Sequence, residues 1–235
     1  MLEVRDLNGG YGVVQVIWEI SLKVNRGEIT SLIGSNGVGK TTLMRTIAGN
    51  IFPMGGHIFY KGEEITHQPQ TMRVRNGISM IPEGRQLYAG MTVEDNLLMG
   101  AYTRKDRETI REDLEWIYSI FPILKERHKQ LTGTLSGGES QMCAIGRALM
   151  SAPQLLLVDE LSLGLAPVVV DLLVQILTRI HQEKGLTVFL VDQDVQTALE
   201  ISKRGYVIDN GRIVLEKESE LLKNDPEIKK AYLGL

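Results

Sequence analysis

Residues Gly34–Thr41 are the part of this sequence that most restricts its fold. They read Gly-Ser-Asn-Gly-Val-Gly-Lys-Thr and match the pattern G-x-x-x-x-G-K-[S/T] at every fixed position. The aliphatic run Ile29–Ile33 precedes them, and a helical pattern begins near Lys40. A glycine-rich turn could contain Gly-Lys-Thr by chance, but the flanking strand and helix favour a loop that binds the phosphates of a nucleoside triphosphate.

The chemistry of such a loop assigns a role to each residue type. Glycines allow backbone N–H groups to turn inward around phosphate oxygens, and the N-terminal dipole of the next helix favours negative charge. Lys40 supplies a positive charge for the β- and γ-phosphates, and the Thr41 hydroxyl is placed to ligate Mg²⁺. The predicted nucleotide-binding residues here are Gly34, Ser35, Asn36, Gly37, Val38, Gly39, Lys40, Thr41 and Thr42.

Two further aliphatic runs, Leu155–Val158 and Val188–Val191, are typical of strands buried on both faces. Short apolar runs alternate with helical patterns in the first and last thirds of the chain, which predicts an α/β fold with a largely parallel sheet. Ligands bind beyond the carboxyl ends of such strands. We therefore expect the ends of the three strands, at Gly34, Asp159 and Gln193, to meet at one site.

Two adjacent carboxylates, Asp159 and Glu160, follow the second of these runs. Asp159 suits the positioning of Mg²⁺ through a water, and Glu160 can orient an attacking water and accept its proton. Solvated acids at a capped strand end are the alternative. The phosphate loop favours the catalytic interpretation, because its Mg²⁺ needs an acidic partner.

The composition excludes several classes of protein. With 235 residues, 43% of them hydrophobic, the chain predicts one large domain or one with an inserted subdomain. A net charge of −3 argues against a dedicated nucleic-acid binder. The single cysteine, the charged N-terminus and the lack of a run of about 20 apolar residues predict a cytosolic chain without disulfide, signal peptide or membrane span.

The middle of the chain has a different pattern. Residues 82–152 show helical periodicity and no convincing buried strand, with a helix start at Thr92 and a helix from near Asp106 to Pro122. We predict a helical subdomain at 82–152, inserted into a nucleotide-binding core of residues 1–81 and 153–235. The pair Asn210-Gly211 predicts a hairpin, and a final helix is expected around residues 221–232.

Leu135–Glu139 reads Leu-Ser-Gly-Gly-Glu. Ser136 and Glu139 have the spacing of a capping box, so one interpretation is simply the start of a helix. The other is a second anion site, in which Ser136, the amides of Gly137 and Gly138, and the helix dipole bind phosphate. The position of the segment, downstream of the phosphate loop and 16 residues before the acidic strand, favours the second interpretation.

Taken together, these motifs resemble the ATP-binding subunits of ABC transporters over essentially the whole chain. The resemblance implies a P-loop NTPase core with a largely parallel sheet, an N-terminal antiparallel β region and an inserted α-helical subdomain. In that family the LSGGE segment is the signature motif, so the resemblance implies that residues 136–139 contact the γ-phosphate of an ATP held by a second subunit. It also implies that Tyr11 stacks on adenine, although a partly exposed aromatic at a strand end is an alternative. Residues Ser162–Ala166 lie where the family has its D-loop, at the dimer interface.

Finer features are similar to one subgroup, the smaller ATPase of branched-chain (hydrophobic) amino-acid importers. Pro82–Arg85 reads Pro-Glu-Gly-Arg where many relatives carry a Mg²⁺-contacting glutamine, so Glu83 becomes a candidate metal contact. The resemblance implies ATP and Mg²⁺ as cofactors and a head-to-tail dimer with an identical or related subunit. The same resemblance implies integral membrane permeases and, indirectly, an external solute-binding protein as partners, and it implies no nucleic-acid partner. It also places the chain on the inner face of the membrane.

Three positions depart from the commonest family pattern. Leu161 replaces a proline, Ser140 replaces a glutamine, and Gln193 replaces the histidine that senses the γ-phosphate. Glutamine is common at that last position in the subgroup. Its amide can donate a hydrogen bond to the γ-phosphate but cannot carry charge, which leaves Glu160 as the base. The alternative is that Gln193 only caps the helix that begins near Asp194.

These features predict an ATPase motor with Lys40, Glu160 and Gln193 in catalytic roles. The competing interpretations are an ATPase of a urea-type importer and a low-turnover, ATP-gated regulatory module. An ABC ATPase that acts on DNA, ribosomes or cofactor assembly is disfavoured, since such proteins usually carry a coiled-coil insertion or a second ATPase half in one chain.

Overall fold

A computed structural model describes residues 1–228 of the chain. Its ten strands form two sheets. Their bounds are β1 Leu2–Tyr11, β2 Val14–Val24, β3 Ile29–Ile33, β4 Gly55–Tyr60, β5 Glu63–Glu64, β6 Ile78–Ile81, β7 Leu155–Asp159, β8 Thr187–Val191, β9 Arg204–Asp209 and β10 Arg212–Glu218.

Ten α-helices and one short 3₁₀ turn, Thr132–Thr134, are found in the same part of the chain. The helices are α1 Lys40–Ala48, α2 Gln70–Arg75, α3 Val93–Gly100, α4 Arg107–Ile120, α5 Pro122–Glu126, α6 Gly137–Leu149, α7 Pro167–Lys184, α8 Val195–Ile201, α9 Ser219–Asn224 and α10 Pro226–Ile228. No helix among residues 1–228 is both long enough and apolar enough to cross a membrane.

The larger sheet has the order β10-β9-β3-β8-β7-β6. Five of its strands run parallel, and β10 joins antiparallel to β9 through the hairpin at Asn210-Gly211. Both hairpin residues have positive φ, 45° and 75°, as a two-residue turn of this kind requires. The smaller sheet, β2-β1-β4-β5, is antiparallel throughout. The predicted fold class, a parallel core with an N-terminal antiparallel region, is confirmed.

The parallel sheet is buried on both faces, and its side chains divide between two cores. In β7, Leu155 and Leu157 pack with β1, β2, β4 and helix α1, between the two sheets. Leu156 and Val158 face the opposite core, which is built with helices α3 to α8. Successive strand residues point to opposite faces. The uninterrupted aliphatic runs in the sequence therefore reflect two cores that share one sheet.

Between β6 and β7 the described chain contributes helices to the second core and no strand of either sheet. Helix α3 begins at Thr92, whose side chain accepts a hydrogen bond from the Asp95 N–H in a capping box. Helix α4 follows Asp106 and ends at Ile120, just before Pro122, as the sequence predicted. Pro122 also starts a further helix, α5, which the sequence analysis did not predict. The division into a core and an inserted helical subdomain stays a prediction.

The single final helix predicted for residues 221–232 is wrong in its described part. Helix α9 ends at Asn224, and α10 begins at Pro226. Asp225 between them has extended backbone, with φ −71° and ψ 123°. The residue before a proline is disfavoured in the α-region, which accounts for the break. Residues 229–235, including the Ala-Tyr-Leu-Gly segment at 231–234, lie outside the described part.

Candidate active site

The loop between β3 and α1 has the backbone conformation that its glycines predict. Gly39, directly before α1, has φ 108°, and Gly37 has φ 81°, both in a region that other residues rarely adopt. At Gly34 the constraint is space, because a Cβ there would lie 2.4 Å from the Ile208 carbonyl oxygen. Gly37 and Gly39 are thus required by the backbone conformation of the loop, and Gly34 by the lack of space for a side chain.

Lys40 is nearly buried and folds back over this loop. Its Nζ donates hydrogen bonds to the carbonyl oxygens of Gly34 at 2.6 Å and Ser35 at 2.9 Å. Burial lowers the pKa of Lys40, while the nearby carboxylates of Glu160 and Asp159 act in the opposite direction. The lysine is therefore held at the loop by main-chain oxygens that an incoming phosphate can replace.

The ends of β3, β7 and β8 meet at this loop, as the strand pattern predicted. The Thr41 hydroxyl donates to Asp159 Oδ1 at 3.2 Å, and Gln193 Nε2 donates to Glu160 Oε1 at 2.7 Å. Asn36 Nδ2 donates to Gln193 Oε1 at 3.4 Å. These contacts connect the phosphate loop to both acidic residues through side chains from three strand ends.

Both acidic residues keep one oxygen without a partner. Asp159 Oδ2 and Glu160 Oε2 are buried and accept no hydrogen bond from residues 1–228. Burial raises the pKa of Asp159 to about 6, and the negative charges of Glu160 and Glu83 add to the rise. A buried carboxylate oxygen left unpaired is costly unless a cation or a water binds it.

A cavity of about 350 Å³ opens between these groups. Val16 and Glu83 line it together with the loop. Val16 is a lining residue that the sequence analysis did not predict. The complete lining is Val16, Asn36, Gly37, Gly39, Lys40, Thr41, Thr42, Glu83, Glu160 and Gln193.

Tyr11 lines a different cavity. It lies at the end of β1, is 46% exposed, and borders a neighbouring cavity of about 460 Å³ with Arg45 and Gln86. Its hydroxyl accepts a long hydrogen bond, 3.4 Å, from Arg45 Nη1. The stacking role predicted for Tyr11 stays a prediction.

Helix α6 begins at the Leu-Ser-Gly-Gly-Glu segment with a complete capping box. Ser136 Oγ accepts from the Glu139 N–H, and Glu139 Oε2 accepts from the Ser136 N–H at 2.8 Å. Glu139 Oε1 also forms an ion pair with Arg127 at 3.1 Å. Both carboxylate oxygens of Glu139 are thus used within the chain, which assigns it the capping role. Nucleotide contact by residues 136–139 stays a prediction.

The helix cap lies away from the chain's own phosphate loop. Ser136, Gly138 and Glu139 border a third cavity, about 370 Å³, whose other walls are apolar side chains of helices α4 to α7. None of them lines the cavity around Lys40. The phosphate loop and the cap of α6 therefore lie on separate surfaces of the chain.

Comparison with known proteins identifies the family. The family model described as "ABC transporter" matches residues 17–162. The high-affinity branched-chain amino acid transport ATP-binding protein BraG of Pseudomonas aeruginosa is 44% identical over 100% of both chains. The chain belongs to the ABC transporter ATP-binding family.

Two further relatives of this ABC ATPase are relevant to its structure and to the direction of transport. A crystal structure of a nucleotide-free ATP-binding cassette from an ABC transporter superposes with a TM-score of 0.84, at 27% identity over 100% of this chain and 99% of the other. The lipopolysaccharide export system ATP-binding protein LptB of Haemophilus influenzae is 33% identical over 100% of this chain and 97% of its own. The family match and the cassette fold make the chain an ATP-hydrolysing enzyme.

Gln193 does not cap the helix that follows it. The N-cap of α8 is Asp194, whose side chain accepts from the Thr197 N–H at 3.1 Å. The alternative interpretation of Gln193 as a cap is therefore wrong, and its amide is free for the contacts with Glu160 and Asn36 described above.

Replacing Gln193 by alanine should slow ATP turnover by about tenfold, because the variant loses the donor beside Glu160. ATP affinity should stay within about twofold, since the phosphate loop is unchanged. Steady-state hydrolysis and equilibrium nucleotide binding measure the two effects. Gln196→Ala, which removes an exposed amide on α8, is the matched control. A wild-type rate in Gln193→Ala would reduce the residue to a structural role.

Proposed function

We propose that the chain is the ATP-hydrolysing subunit of an importer of branched-chain or hydrophobic amino acids. The observation that carries this proposal is the full-length match to BraG at 44% identity, higher than the 33% match to the export-system protein LptB. The residues that line the cavity around Lys40 support the ATP-hydrolysing part of the proposal. A position on the inner face of the membrane, beside permease subunits, belongs to the proposal.

The proposed chemistry uses the groups around the cavity. Glu160 orients the attacking water through its unpaired oxygen and accepts the proton. Lys40 exchanges its carbonyl partners for the β- and γ-phosphate oxygens, where its charge offsets the negative charge of the transition state. The Gln193 amide nitrogen has two hydrogens, so it can donate to Glu160 and to the γ-phosphate together.

Mg²⁺ fits the residues present. It would be held by three groups: the unpaired Asp159 Oδ2, the Thr41 hydroxyl, which contacts the other Asp159 oxygen, and the exposed Glu83 carboxylate. Sites of this kind combine one or two carboxylates with substrate phosphates and waters. When bound, the ion neutralises charge on the phosphates and keeps the β- and γ-oxygens in place.

The separate position of residues 136–139 supports a head-to-tail pair of ATPase subunits. With two subunits, the helix cap of one can close on the phosphate loop of the other. Since residues 136–139 line no part of the cavity around Lys40 in their own subunit, a partner would complete each site. The partner can be a second copy or a related chain.

Exposed apolar side chains support a membrane-protein partner. Tyr88 is 51% exposed and Tyr102 is 81% exposed, and Met72, Leu98 and Met99 lie on α2 and α3. Tyr88 and Met99 border a cavity of about 300 Å³. Apolar surface of this kind, on both sides of the Pro-Glu-Gly-Arg segment in the sequence, suits a helix of a permease subunit.

Reconstitution tests the proposal. The chain would be co-expressed with the permeases, second ATPase and binding protein of a branched-chain amino-acid importer, and the complex placed in vesicles with the nucleotide-binding side accessible. We expect ATP-dependent uptake of labelled leucine, isoleucine or valine that stops in the Glu160→Gln complex. Uptake of urea instead, movement of a substrate in the export direction, or no coupling to ATP would each contradict the amino-acid import proposal.

A further inference from the structure

The buried carboxylate of Asp192 accepts four hydrogen bonds at the end of β8. Its Oδ2 accepts from the N–H groups of Leu161 at 3.0 Å and Ser162 at 3.1 Å. Its Oδ1 accepts from the Ser162 hydroxyl at 2.5 Å and from the Asp194 N–H at 2.9 Å. Asp192 is 1% exposed, and a carboxylate has about four acceptor positions, so its capacity is fully used.

These hydrogen bonds join two strand ends that both carry catalytic candidates. Strands β7 and β8 are parallel neighbours, with Asp159 opposite Val191. The Glu160 N–H donates to the Val191 carbonyl at 2.8 Å. Glu160 therefore lies directly before the two residues that Asp192 holds, and Gln193 lies directly after Asp192.

Glu160 has a backbone conformation that needs such support. Its φ is 64°, in the left-handed region that residues other than glycine rarely adopt. Conformations of this kind persist where the surroundings hold them, and they concentrate at functional sites. The hydrogen bonds to Leu161 and Ser162 fix the chain on one side of Glu160, and the bond to Val191 fixes Glu160 itself.

Leu161 takes part in this arrangement. A proline at this position would have no N–H and could not donate to Asp192. Leucine supplies one of the four hydrogen bonds, and its side chain is buried in the core on the helical side of the sheet. The contact with Asp192 therefore requires a residue with an N–H at position 161.

We propose that Asp192 is a positioning residue for ATP hydrolysis. By holding Leu161 and Ser162, it keeps the left-handed backbone at Glu160 and the contact between the Glu160 carboxylate and Gln193. The proposal rests on the role proposed above for Glu160. It assigns Asp192 no contact with the nucleotide, so the residue acts on the rate of hydrolysis and leaves ATP affinity unchanged.

A double-mutant cycle between Asp192 and Ser162 tests the proposal. Asparagine at 192 has one carbonyl oxygen, which can accept at most two of the four hydrogen bonds, and its NH₂ group faces donors. We expect kcat to fall about 10- to 100-fold in Asp192→Asn and about 5-fold in Ser162→Ala, with KM within about twofold. The double variant should be no slower than Asp192→Asn alone. Ser162→Thr, which keeps the hydroxyl, should have most of the wild-type rate.

Several outcomes would overturn the proposal. Additive losses in the cycle would mean that Ser162 acts elsewhere, such as on a partner subunit. A raised KM with unchanged kcat, or a rate loss that follows a loss of thermal stability, would assign Asp192 a binding or a purely structural role. Leu161→Pro should be slower than Leu161→Ala, because both lose the leucine side chain but only the first loses the N–H donor; equal rates would contradict the proposal.

A separate comparison keeps this proposal distinct from the role of Glu160. In the Glu160→Gln background, Asp192→Asn should cause no further loss of turnover. If Glu160→Gln itself hydrolyses ATP normally, the role of Glu160 is wrong. If Glu160→Gln is inactive and Asp192→Asn is normal, only the positioning role of Asp192 is wrong.

Discussion

Glu160→Gln is expected to lower ATP turnover by about 10²- to 10³-fold and to leave ATP binding within about twofold. Glutamine has nearly the same shape, so Oε1 can still accept from Gln193, but an amide replaces the oxygen that would take the proton from water. Loss of a general base costs roughly this factor. Nucleotide binding should also be spared because the substitution removes a negative charge near the triphosphate.

Two measurements check this prediction. Phosphate release gives the rate, and size-exclusion chromatography with Mg²⁺ and ATP should show the variant as a long-lived dimer, since hydrolysis no longer separates the subunits. Glu200→Gln, an exposed change on α8, should behave like the wild type. A wild-type rate in Glu160→Gln would require another base.

Asp159→Asn should have opposite effects on activity and stability. Turnover that depends on Mg²⁺ should fall by about 10²-fold or more, because the proposed metal contact loses its charge. The metal-free protein should become more stable above pH 6. The folded-state pKa of Asp159, about 6, lies above the usual value of 3.8, so the folded protein carries the ionised, buried carboxylate at a cost.

The size of the expected stability difference between Asp159→Asn and the wild type, and its pH range, follow from that pKa. A rise of about two units corresponds to a difference of at most about 3 kcal/mol, which is complete above pH 6. It is lost progressively as the pH falls from 6 to below 3.8, where the wild-type carboxyl is protonated in both the folded and the unfolded state. Thermal unfolding in EDTA between pH 5 and pH 8 measures the difference. Asp171→Asn, an exposed change on α7, is the control. An equal stability difference at pH 5 and pH 8 would contradict the explanation.

Local patterns predicted much of the site. Gly34–Thr41, the Asp159-Glu160 pair and Gln193 were found because each follows a short aliphatic run, and parallel strands bring such ends together. The hairpin at Asn210-Gly211 and the capping box of α3 were found because turn and cap chemistry is local. Each of these signals lies within a few consecutive residues, so the sequence shows it directly.

Contacts set by the register between distant strands could not be predicted. Asp192 and Ser162 are 30 residues apart, and their hydrogen bond depends on Asp159 lying opposite Val191. Arg73 is another case, since an arginine on a short helix suggests an exposed face. It is fully buried, and five main-chain carbonyl oxygens accept hydrogen bonds from it. For both Asp192 and Arg73, most of the hydrogen-bond partners are too far away in the sequence to be recognised from the neighbouring residues.

The location of the α6 cap in a cavity of its own has a kinetic consequence. If every working site draws its phosphate loop from one chain and its cap from another, the rate per litre at low protein concentration grows with the square of the concentration. Specific activity then rises on concentrating a dilute sample and levels off once the chains are mostly paired. Attachment of two copies to one membrane complex would remove that dependence, because tethering sets a high effective concentration that dilution does not change.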